Sequence, residues 1–298
     1  MKVLEKYLNY IEVEKKISEN TVASYRRDLK KYVEYLNEKN IDVLSVVEND
    51  IISYLIELEN ENISVSSISR MISSIKSYHY YLFYNKLSER NPAKNIKKPK
   101  IERNNVEILT EEEVDKLLYF EDLSTPKKIR DKAIFEVLYG TGIKVSELID
   151  MNLEDVDLDI DYIYCGSGKN QRIIPLCEAT KLFLVNYINE ARNYLTNQNE
   201  KALFVNAQGQ RFTRQGLWKL IKKYAKDANI NKNINPTILR HSFAIHLLNG
   251  GANAAVVSKI LGNSNLSSLQ FYLKYIDKNL RKEIKEKHPR NNNSQTSN

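Results

Sequence analysis

A cation and a phenol near the C-terminal end of the chain are the residues best suited to chemistry. Arg240 follows the Asn-Pro-Thr sequence of residues 235–237, which predicts a helix start because proline fits the first helical positions and a short polar side chain can cap them. A second helix is predicted to end at Gly262, and a third, capped by Ser267, to carry Tyr272. The chain reversals between these helices could return the phenol to the guanidinium, which predicts a phosphoryl-transfer site.

The composition favours a polyanionic partner without requiring one. The 298 residues include 45 Lys and Arg against 38 Asp and Glu, a net charge of +7 at pH 7. Both signs are interspersed along the chain. Such a balance favours binding to nucleic acid, although many soluble helical proteins are also mildly basic. The charge alone leaves both interpretations open.

The cysteine content and the hydropathy predict a soluble, cytoplasmic protein. Cys165 and Cys177 are the only cysteines, too few for a disulfide framework and without the spacing of a zinc site. No apolar run approaches the roughly twenty residues of a membrane span. We therefore expect no metal site and no membrane contact.

The elements that must position the reactive residues fall into two predicted domains. The chain is long enough for two cores, and residues 1–94 show four amphipathic helical patterns. A basic linker is predicted over residues 95–106, a second domain over 107–290 and a disordered tail over 291–298. The predicted fold class is mainly α with a small β-sheet: an N-terminal four-helix domain followed by an α+β domain.

The second domain contains the predicted sheet. Apolar alternation on either side of a polar, glycine-rich segment at residues 166–170 predicts a β-hairpin, and residues 203–206 predict a further brief strand. Helices are predicted to begin near Thr110, Thr125 and Thr213, each of which can act as an N-cap.

Several helices carry cations and hydroxyls that are suited to phosphate. In the second helix Arg26 and Arg27 lie opposite the apolar stripe, and in the fourth helix serines surround Arg70 and Lys76, which lets a phosphate backbone come close. Faces that are merely solvated have the same composition, so this alternative stays open. The residues predicted to contact DNA are Arg26, Arg27, Arg70, Lys76, Arg172, Thr213, Arg214 and Gln215.

A series of short motifs resembles those of the tyrosine recombinases, and among them the Xer-type recombinases. The motifs are Ser18-Glu19-Asn20-Thr21, Tyr25-Arg26-Arg27-Asp28-Leu29, Gly140-Thr141-Gly142 before Val145-Ser146-Glu147-Leu148, Thr213-Arg214-Gln215-Gly216, Leu239-Arg240-His241-Ser242-Phe243, His246-Leu247-Leu248-Asn249, Leu261-Gly262 and His288-Pro289-Arg290. The resemblance spans nearly the whole chain. It implies a core-binding (SAM-like) helical domain and a mixed catalytic domain that close around double-stranded DNA, either as a homo-tetramer on two sites or as a hetero-oligomer with an active recombinase.

The resemblance also implies a reaction that needs no cofactor, neither metal nor nucleotide. Family members attack a phosphodiester with a tyrosine, which leaves a 3′-phosphotyrosyl link and a free 5′-hydroxyl. Tyr272 stands at the position of this nucleophile, and Arg240 at that of the second arginine that clamps the phosphate. The chemistry further requires a first clamping cation and an acid for the leaving oxygen.

This chain departs from the family pattern at several of these positions. Lys144 replaces the first clamp arginine and keeps its charge but not its bidentate fork. Ser167 replaces the general-acid lysine of the hairpin tip, and Lys169 is a candidate substitute. Thr237 and Asn263 replace histidines, and neither can shuttle a proton near neutrality. The candidate catalytic residues are therefore Tyr272, Arg240, Lys144, Lys169, Asn263 and Thr237.

Other residues of the reactive segment are assigned supporting roles. His241 follows Arg240 directly and therefore points about a hundred degrees away from it on a helix. His246 matches a family position associated with packing. Both histidines are predicted to be core or supporting residues, and Tyr275 is a weaker alternative nucleophile among the 19 tyrosines.

Three functions are compatible with the sequence. The first is a DNA-binding or partner protein that does not cleave, and the second is a residual or conditional recombinase that uses Tyr272, Arg240, Lys144 and Lys169. The third is a sequence-specific transcription regulator that reuses the DNA clamp. A phosphotyrosyl adduct distinguishes the second from the first, and binding that ignores DNA sequence excludes the third.

Overall fold

The chain folds as two units, the first spanning Met1–Asn104 and the second Asn105–Asn298. In a computed structural model, the described residues are 2–100, 107–166, 168, 171–196, 199–232, 234–262 and 272. The predictions that lie outside the described residues concern Ser167, Lys169, Asn263, Ser267, Tyr275, the later part of the linker and everything after residue 272.

Helices make up the regular structure described in the first unit, as the sequence predicts. They are α1 (Lys2–Asn9), α2 (Glu19–Glu38), α3 (Glu48–Asn60) and α4 (Val65–Tyr84), with a π-helical turn at Tyr10–Glu14. Ser18 and Ser64 cap α2 and α4, because each hydroxyl accepts a hydrogen bond from a backbone N–H of the first turn. One serine of the predicted polar face of α4, Ser74, is fully buried and donates to the Met71 carbonyl.

Tyrosine rings fill much of the core of the first unit. Tyr7, Tyr32, Tyr54 and Tyr78 are almost completely buried, and Tyr32 lies 5.2 Å from Tyr54 between ring centres. The Tyr32 hydroxyl is 2.9 Å from Nε2 of His79, which is itself 1% exposed. Burial lowers the pKa of His79 from its ordinary 6.5 to about 4, so this imidazole is neutral at physiological pH.

We expect the first unit to lose stability as the pH falls from about 6.5 to about 4, because His79 has the lower pKa in the folded state. In that window the unfolded chain binds more protons than the folded chain, and the full difference is worth about 3 kcal/mol. Hydrogen exchange of peptides from residues 2–100 measures the loss. The variant His79→Gln should flatten this dependence. An unchanged pH dependence in His79→Gln would contradict the assignment.

The second unit combines helices with a small sheet, so the predicted fold class is confirmed. Its elements are α5 (Glu111–Leu118), α6 (Pro126–Thr141), α7 (Val145–Asp150), β1 (Val156–Asp157), β2 (Tyr162–Cys165), β3 (Arg172–Pro175), α8 (Glu178–Asn186), α9 (Arg214–Asp227), α10 (Pro236–Asn249) and α11 (Ala254–Leu261). Short 3-10 and π-helical turns follow at Leu153–Asp155, Tyr187–Ala191 and Arg192–Tyr194. Thr110, Thr125 and Thr213 are N-caps, as predicted.

The sheet is antiparallel with strand order β1-β2-β3, and Ile163 is paired with Ile174. The predicted hairpin is therefore present and gains β1 as a third strand. The brief strand predicted at residues 203–206 was wrong, since Val205 forms only an isolated bridge with Arg211. The Leu203 carbonyl instead accepts from the Tyr187 hydroxyl, while the Leu203 N–H donates to the Met151 carbonyl at 2.9 Å.

Helix α6 runs through the core and buries charged residues as well as apolar ones. Arg130, Asp131, Lys132 and Glu136 are each less than a tenth exposed. Arg130 pairs with Asp131 at 2.6 Å and Lys132 with Glu136 at 2.6 Å, which offsets part of the cost of burying the charges. The sequence pattern predicted only the apolar face, because charged side chains are usually exposed. The end of this helix lies at the candidate site.

Candidate active site and DNA-binding residues

Two glycines in the left-handed conformation end the helices that enclose the site. Gly142 has a φ of 60° after α6, and Gly262 has a φ of 62° after α11. A Cβ atom at Gly142 would lie 2.2 Å from the Phe243 ring, and one at Gly262 would lie 2.9 Å from a guanidinium nitrogen of Arg172. At the C-terminal end of each of these two helices, only glycine allows both this backbone conformation and the close approach of the neighbouring side chain.

Arg240, on α10, lies between the C-terminal ends of α6 and α11. Its Nη1 donates to the Gly142 carbonyl at 2.7 Å and its Nη2 to the Leu261 carbonyl at 2.5 Å, and the residue is 8% exposed. Burial lowers its pKa, and the negative charge of Glu147 opposes this shift. A guanidinium stays protonated in proteins, so the site contains a permanent positive charge. The two backbone carbonyls fix the orientation of the guanidinium plane.

Tyr272 contacts His241, the residue that follows Arg240. The Tyr272 hydroxyl oxygen is 2.7 Å from His241 Nδ1, and Tyr272 is 3% exposed. Burial raises the pKa of Tyr272 against the opposing charge of Arg240, whereas burial and then Arg240 lower the pKa of His241. Both groups are neutral near pH 7 as a result. The predicted supporting role of His241 did not anticipate this contact, because residue order on one helix does not show what approaches it.

Glu147 on α7 is a further residue of the site that the sequence did not single out. Its two carboxylate oxygens accept from Nη1 and Nη2 of Arg172, both at 2.8 Å, and Lys144 Nζ lies 3.6 Å away. Burial raises the pKa of Glu147, but the hydrogen bonds from Arg172 and from the Lys144 backbone N–H outweigh it and lower the pKa. An acid three residues after a candidate clamp cation is the signal that was available.

Lys144 and Thr237 lie at the N-terminal ends of their helices. Lys144 is the N-cap of α7, and its side chain is 52% exposed. Thr237 is exposed in the first turn of α10, where its backbone N–H donates to Asn235 Oδ1 at 2.9 Å. The structure places Tyr272 against His241, the residue after Arg240, while Lys144 and Thr237 lie at helix starts. The catalytic roles assigned to Tyr272, Arg240, Lys144 and Thr237 stay predictions.

The second histidine of this region, His246, has a packing role in the structure. Its Nε2 is 3.0 Å from the Leu109 carbonyl, and its Nδ1 is 2.9 Å from the Tyr139 hydroxyl. Since a carbonyl only accepts, Nε2 donates to Leu109 and Nδ1 accepts from Tyr139. These two bonds connect α10 to α6 and to the chain before α5.

Arg172, predicted to contact DNA, is engaged within the second unit. Its side chain is 9% exposed, pairs with Glu147 and donates from Nε to the Ile260 carbonyl at 2.5 Å. Burial lowers its pKa, but the hydrogen bonds and charge of Glu147 raise it by more. Arg172 therefore ties β3 to α7 and to the end of α11, and direct contact with DNA stays a prediction.

The basic residues predicted on the first unit differ in how they are held. Arg26 pairs with Glu5 at 2.8 Å, and Arg70 pairs with the buried Asp28. Lys76 donates to the Ile96 carbonyl at 2.7 Å, and the exposed Arg27 donates to the Ser24 hydroxyl at 3.3 Å. Exposed ion pairs are weak, and the Arg27 bond to a hydroxyl is long. Arg26 and Arg27 can therefore exchange these partners for phosphate at little cost.

The start of α9 exposes three of the predicted DNA-contacting residues. Thr213 caps the helix by accepting the Gly216 N–H at 3.0 Å, and Arg214 and Gln215 are exposed in its first turn. A helix N-terminus with an exposed guanidinium is suited to phosphate. Within the described part of the chain, no three His, Cys, Asp or Glu side chains come together to hold a metal ion, and no helix is long and apolar enough to cross a membrane.

Comparison with known proteins identifies the class. Residues 4–86 match the N-terminal SAM-like domain of phage integrases, and residues 107–278 match the phage integrase family. The chain belongs to this family, the tyrosine recombinases. Its relatives place it among the Xer-type members: it is 40% identical to tyrosine recombinase XerD of Staphylococcus haemolyticus over 97% of this chain and 99% of the relative. The XerD of Oceanobacillus iheyensis is 39% identical over 96% and 98% of the two chains.

Solved structures share the fold at lower sequence identity. A Tn1549 transposon integrase in complex with transposon right end DNA has a TM-score of 0.75 and 21% identity, covering 96% of this chain and 99% of that one. XerH bound to a palindromic difH substrate in a post-cleavage complex has a TM-score of 0.74 and 20% identity, covering 89% and 79%. The predicted recombinase fold is thereby confirmed.

Proposed function

We propose that this chain binds duplex DNA as a Xer-type recombinase in the cytoplasm and cleaves it far more slowly than a complete family site would. The observation that carries the proposal is that Arg240 is held by the Gly142 and Leu261 carbonyls and Tyr272 contacts the adjacent His241. The family resemblance places the second clamp arginine at Arg240 and the nucleophile at Tyr272, and it places the first clamp cation at Lys144. Relatives described as tyrosine recombinase XerD, and fold neighbours described as bound to DNA, support the DNA partner.

The expected slowing follows from the chemistry of the replaced groups. A lysine offers a point charge where an arginine offers two parallel donors, and one such donor to a transition state is worth roughly 10²–10³ in rate. Thr237 and Asn263 cannot transfer protons, and a general acid or base contributes roughly 10²–10⁴. Even partial loss of these groups is therefore expected to reduce cleavage by several orders of magnitude.

The domain division supports a clamp around the duplex. We assign DNA backbone contacts to residues 1–94 and 107–290 and propose that the basic segment 95–106 spans between them. We further propose that the protein assembles on DNA either as a homo-tetramer on two sites or as a hetero-oligomer with an active recombinase. Sedimentation on a cognate duplex, with and without an active relative, separates these two assemblies.

Replacing Arg214 by alanine is expected to weaken duplex binding and to reduce the slope of log affinity against log salt by about 1, because one phosphate contact releases about one counterion. Lys116→Ala is the matched control. Lys116 lines a groove with Tyr224 and Asp227 at the other end of α9, whose 14 residues span about 21 Å. Fluorescence anisotropy across a salt series measures both slopes, and equal slopes for the two variants would contradict the assignment of Arg214.

The proposed function is tested on a nicked suicide duplex. A binding site is first selected from random duplexes, and the protein is then incubated with that site carrying a nick that traps the phosphotyrosyl adduct. Slow adduct formation that is absent in Tyr272→Phe supports the proposal. Failure to bind any duplex overturns it, and binding that ignores sequence excludes a regulatory role.

A second candidate function is a working recombinase that cuts and rejoins DNA through a 3′-phosphotyrosyl intermediate at Tyr272. The contact between the Tyr272 hydroxyl and His241 favours it, because an imidazole beside the nucleophile is a means of handling the proton. Adduct formation within seconds, followed by strand exchange between two selected sites, distinguishes this candidate from the slow one.

A further inference from the structure

We propose that His241 is the base that accepts the Tyr272 proton during DNA cleavage. This inference rests on the proposed function, since it concerns the slow cleavage through Tyr272. It assigns a proton acceptor to a chain in which Thr237 and Asn263 stand at the positions of the family's histidines.

The geometry meets the first requirement for a general base. His241 Nδ1 lies 2.7 Å from the Tyr272 hydroxyl oxygen, which is within hydrogen-bond reach of the proton to be removed. The two ring centres are 5.6 Å apart, and the phenol is 3% exposed, so bulk water scarcely reaches it. Proton transfer between the two groups therefore needs no intervening water.

The base and the clamp arginine are positioned by the same helix. Arg240 and His241 are consecutive on α10, and the Arg240 guanidinium is fixed by the Gly142 and Leu261 carbonyls. Residues on a rigid helix hold catalytic geometry better than residues on loops. A phosphate clamped by Arg240 would thus be presented at a fixed distance from the His241–Tyr272 pair.

The charges around the pair favour a neutral imidazole. The positive charge of Arg240, on the same helix, acts on both rings of the pair. The pKa of Arg240 is in turn raised by Glu147 on α7 and by the thiol of Cys165 on β2, and it is lowered by Arg172 on β3. Because burial and Arg240 both disfavour the imidazolium, His241 is unprotonated near neutral pH and able to accept a proton.

The step that we assign to His241 conserves atoms and charge. The Tyr272 Oη–H proton moves to His241 Nδ1 as Oη bonds to phosphorus. The bond between phosphorus and the bridging 5′ oxygen breaks with its electron pair on that oxygen, which takes a proton from solvent water to become the free 5′-hydroxyl. With ordinary pKa values of 10.0 for the phenol and 6.5 for the imidazole, transfer before attack is unfavourable by at least about three orders of magnitude. The proton therefore moves in concert with attack rather than before it.

The tautomer of His241 provides a test that does not depend on turnover. The chain has 4 histidines, few enough for each to be assigned by nitrogen-15 NMR of selectively labelled protein. The proposal requires that Nδ1 accepts and Nε2 carries the proton at pH 7.5. A proton on Nδ1, donated to the phenol oxygen, would overturn the proposal, because such an imidazole has no lone pair available for the Tyr272 proton.

The kinetic test uses a suicide duplex with sulfur in place of the bridging 5′ oxygen, since a thiolate leaves without an acid and the rate then reports on nucleophile activation. His241→Asn can still accept a hydrogen bond but not a proton, and it should slow adduct formation by roughly 10²–10⁴ while retaining duplex binding. The natural chain should accelerate as pH rises through a pKa below 6.5, and His241→Asn should lose this dependence. In His241→Ala, added imidazole should restore part of the rate.

His246→Asn is the matched control, because His246 lies on the same helix and bonds to Tyr139 and Leu109 instead of Tyr272. It should form the adduct at the natural rate per folded molecule. An unchanged rate in His241→Asn overturns the role of His241 and leaves the proposed function intact. A natural chain that binds its site and never forms the adduct overturns residual cleavage and this role together.

Discussion

Restoring the family's residues at the four departing positions is expected to speed covalent adduct formation at least about a thousandfold. The variant combines Lys144→Arg, Ser167→Lys, Thr237→His and Asn263→His. Each change returns a bidentate donor or a proton-transfer group to the transition state that we propose for attack by Tyr272. Groups that act as a unit are not additive, so the gain is stated for the combination.

Single replacements and a nucleophile knockout make the result interpretable. Lys144→Arg alone should gain roughly 10²-fold, because it restores two parallel donors to one phosphate. The combined variant with Tyr272→Phe should form no adduct on the same suicide duplex. A combined variant that binds its site and cleaves no faster than the natural chain would show that these positions do not limit cleavage.

Removing the carboxylate of Glu147 is expected to destabilise the second unit by about 3–5 kcal/mol, because Glu147→Ala leaves the Arg172 guanidinium buried without its counter-charge. Arg172 would keep the Ile260 carbonyl but lose both bonds of 2.8 Å to Glu147. Urea unfolding followed by the fluorescence of Trp218 measures this loss. Trp218 is the single tryptophan and lies on α9, so it reports on the second unit.

The double variant Glu147→Gln with Arg172→Met provides the control, because removing both charges leaves no unpaired ion in the core. It should recover much of the stability lost in Glu147→Ala. A cost below about 1 kcal/mol for Glu147→Ala would contradict the proposed role of this pair, since that is the range of an exposed ion pair. The Glu147–Arg172 pair also fixes β3 against α7. Glu147→Ala should therefore disturb the β2–β3 hairpin as well.

The helices and their starts were predictable from the sequence because their signals are local. A capping hydroxyl acts on an N–H within three residues, as Thr110 does for α5 and Ser64 for α4, and an apolar stripe repeats within each helix. The β-hairpin was predictable for the same reason. The motifs around Arg240 and Tyr272 predicted the recombinase class because short sequences at set positions define it, and the family comparison confirmed that class.

Tertiary structure alone decided which of these local pieces meet. Tyr272 reaches His241 across 31 positions, and Arg172 reaches Glu147 across 25, and no periodic pattern connects residues so far apart. The same limitation explains residues 203–206, which were predicted as a brief strand but whose Leu203 and Val205 carbonyls accept from the side chains of Tyr187 and Arg130. Sequence thus determined the fold class and the candidate nucleophile and clamp. Long-range packing decided their neighbours, because burial and charge depend on contacts that the chain makes only when folded.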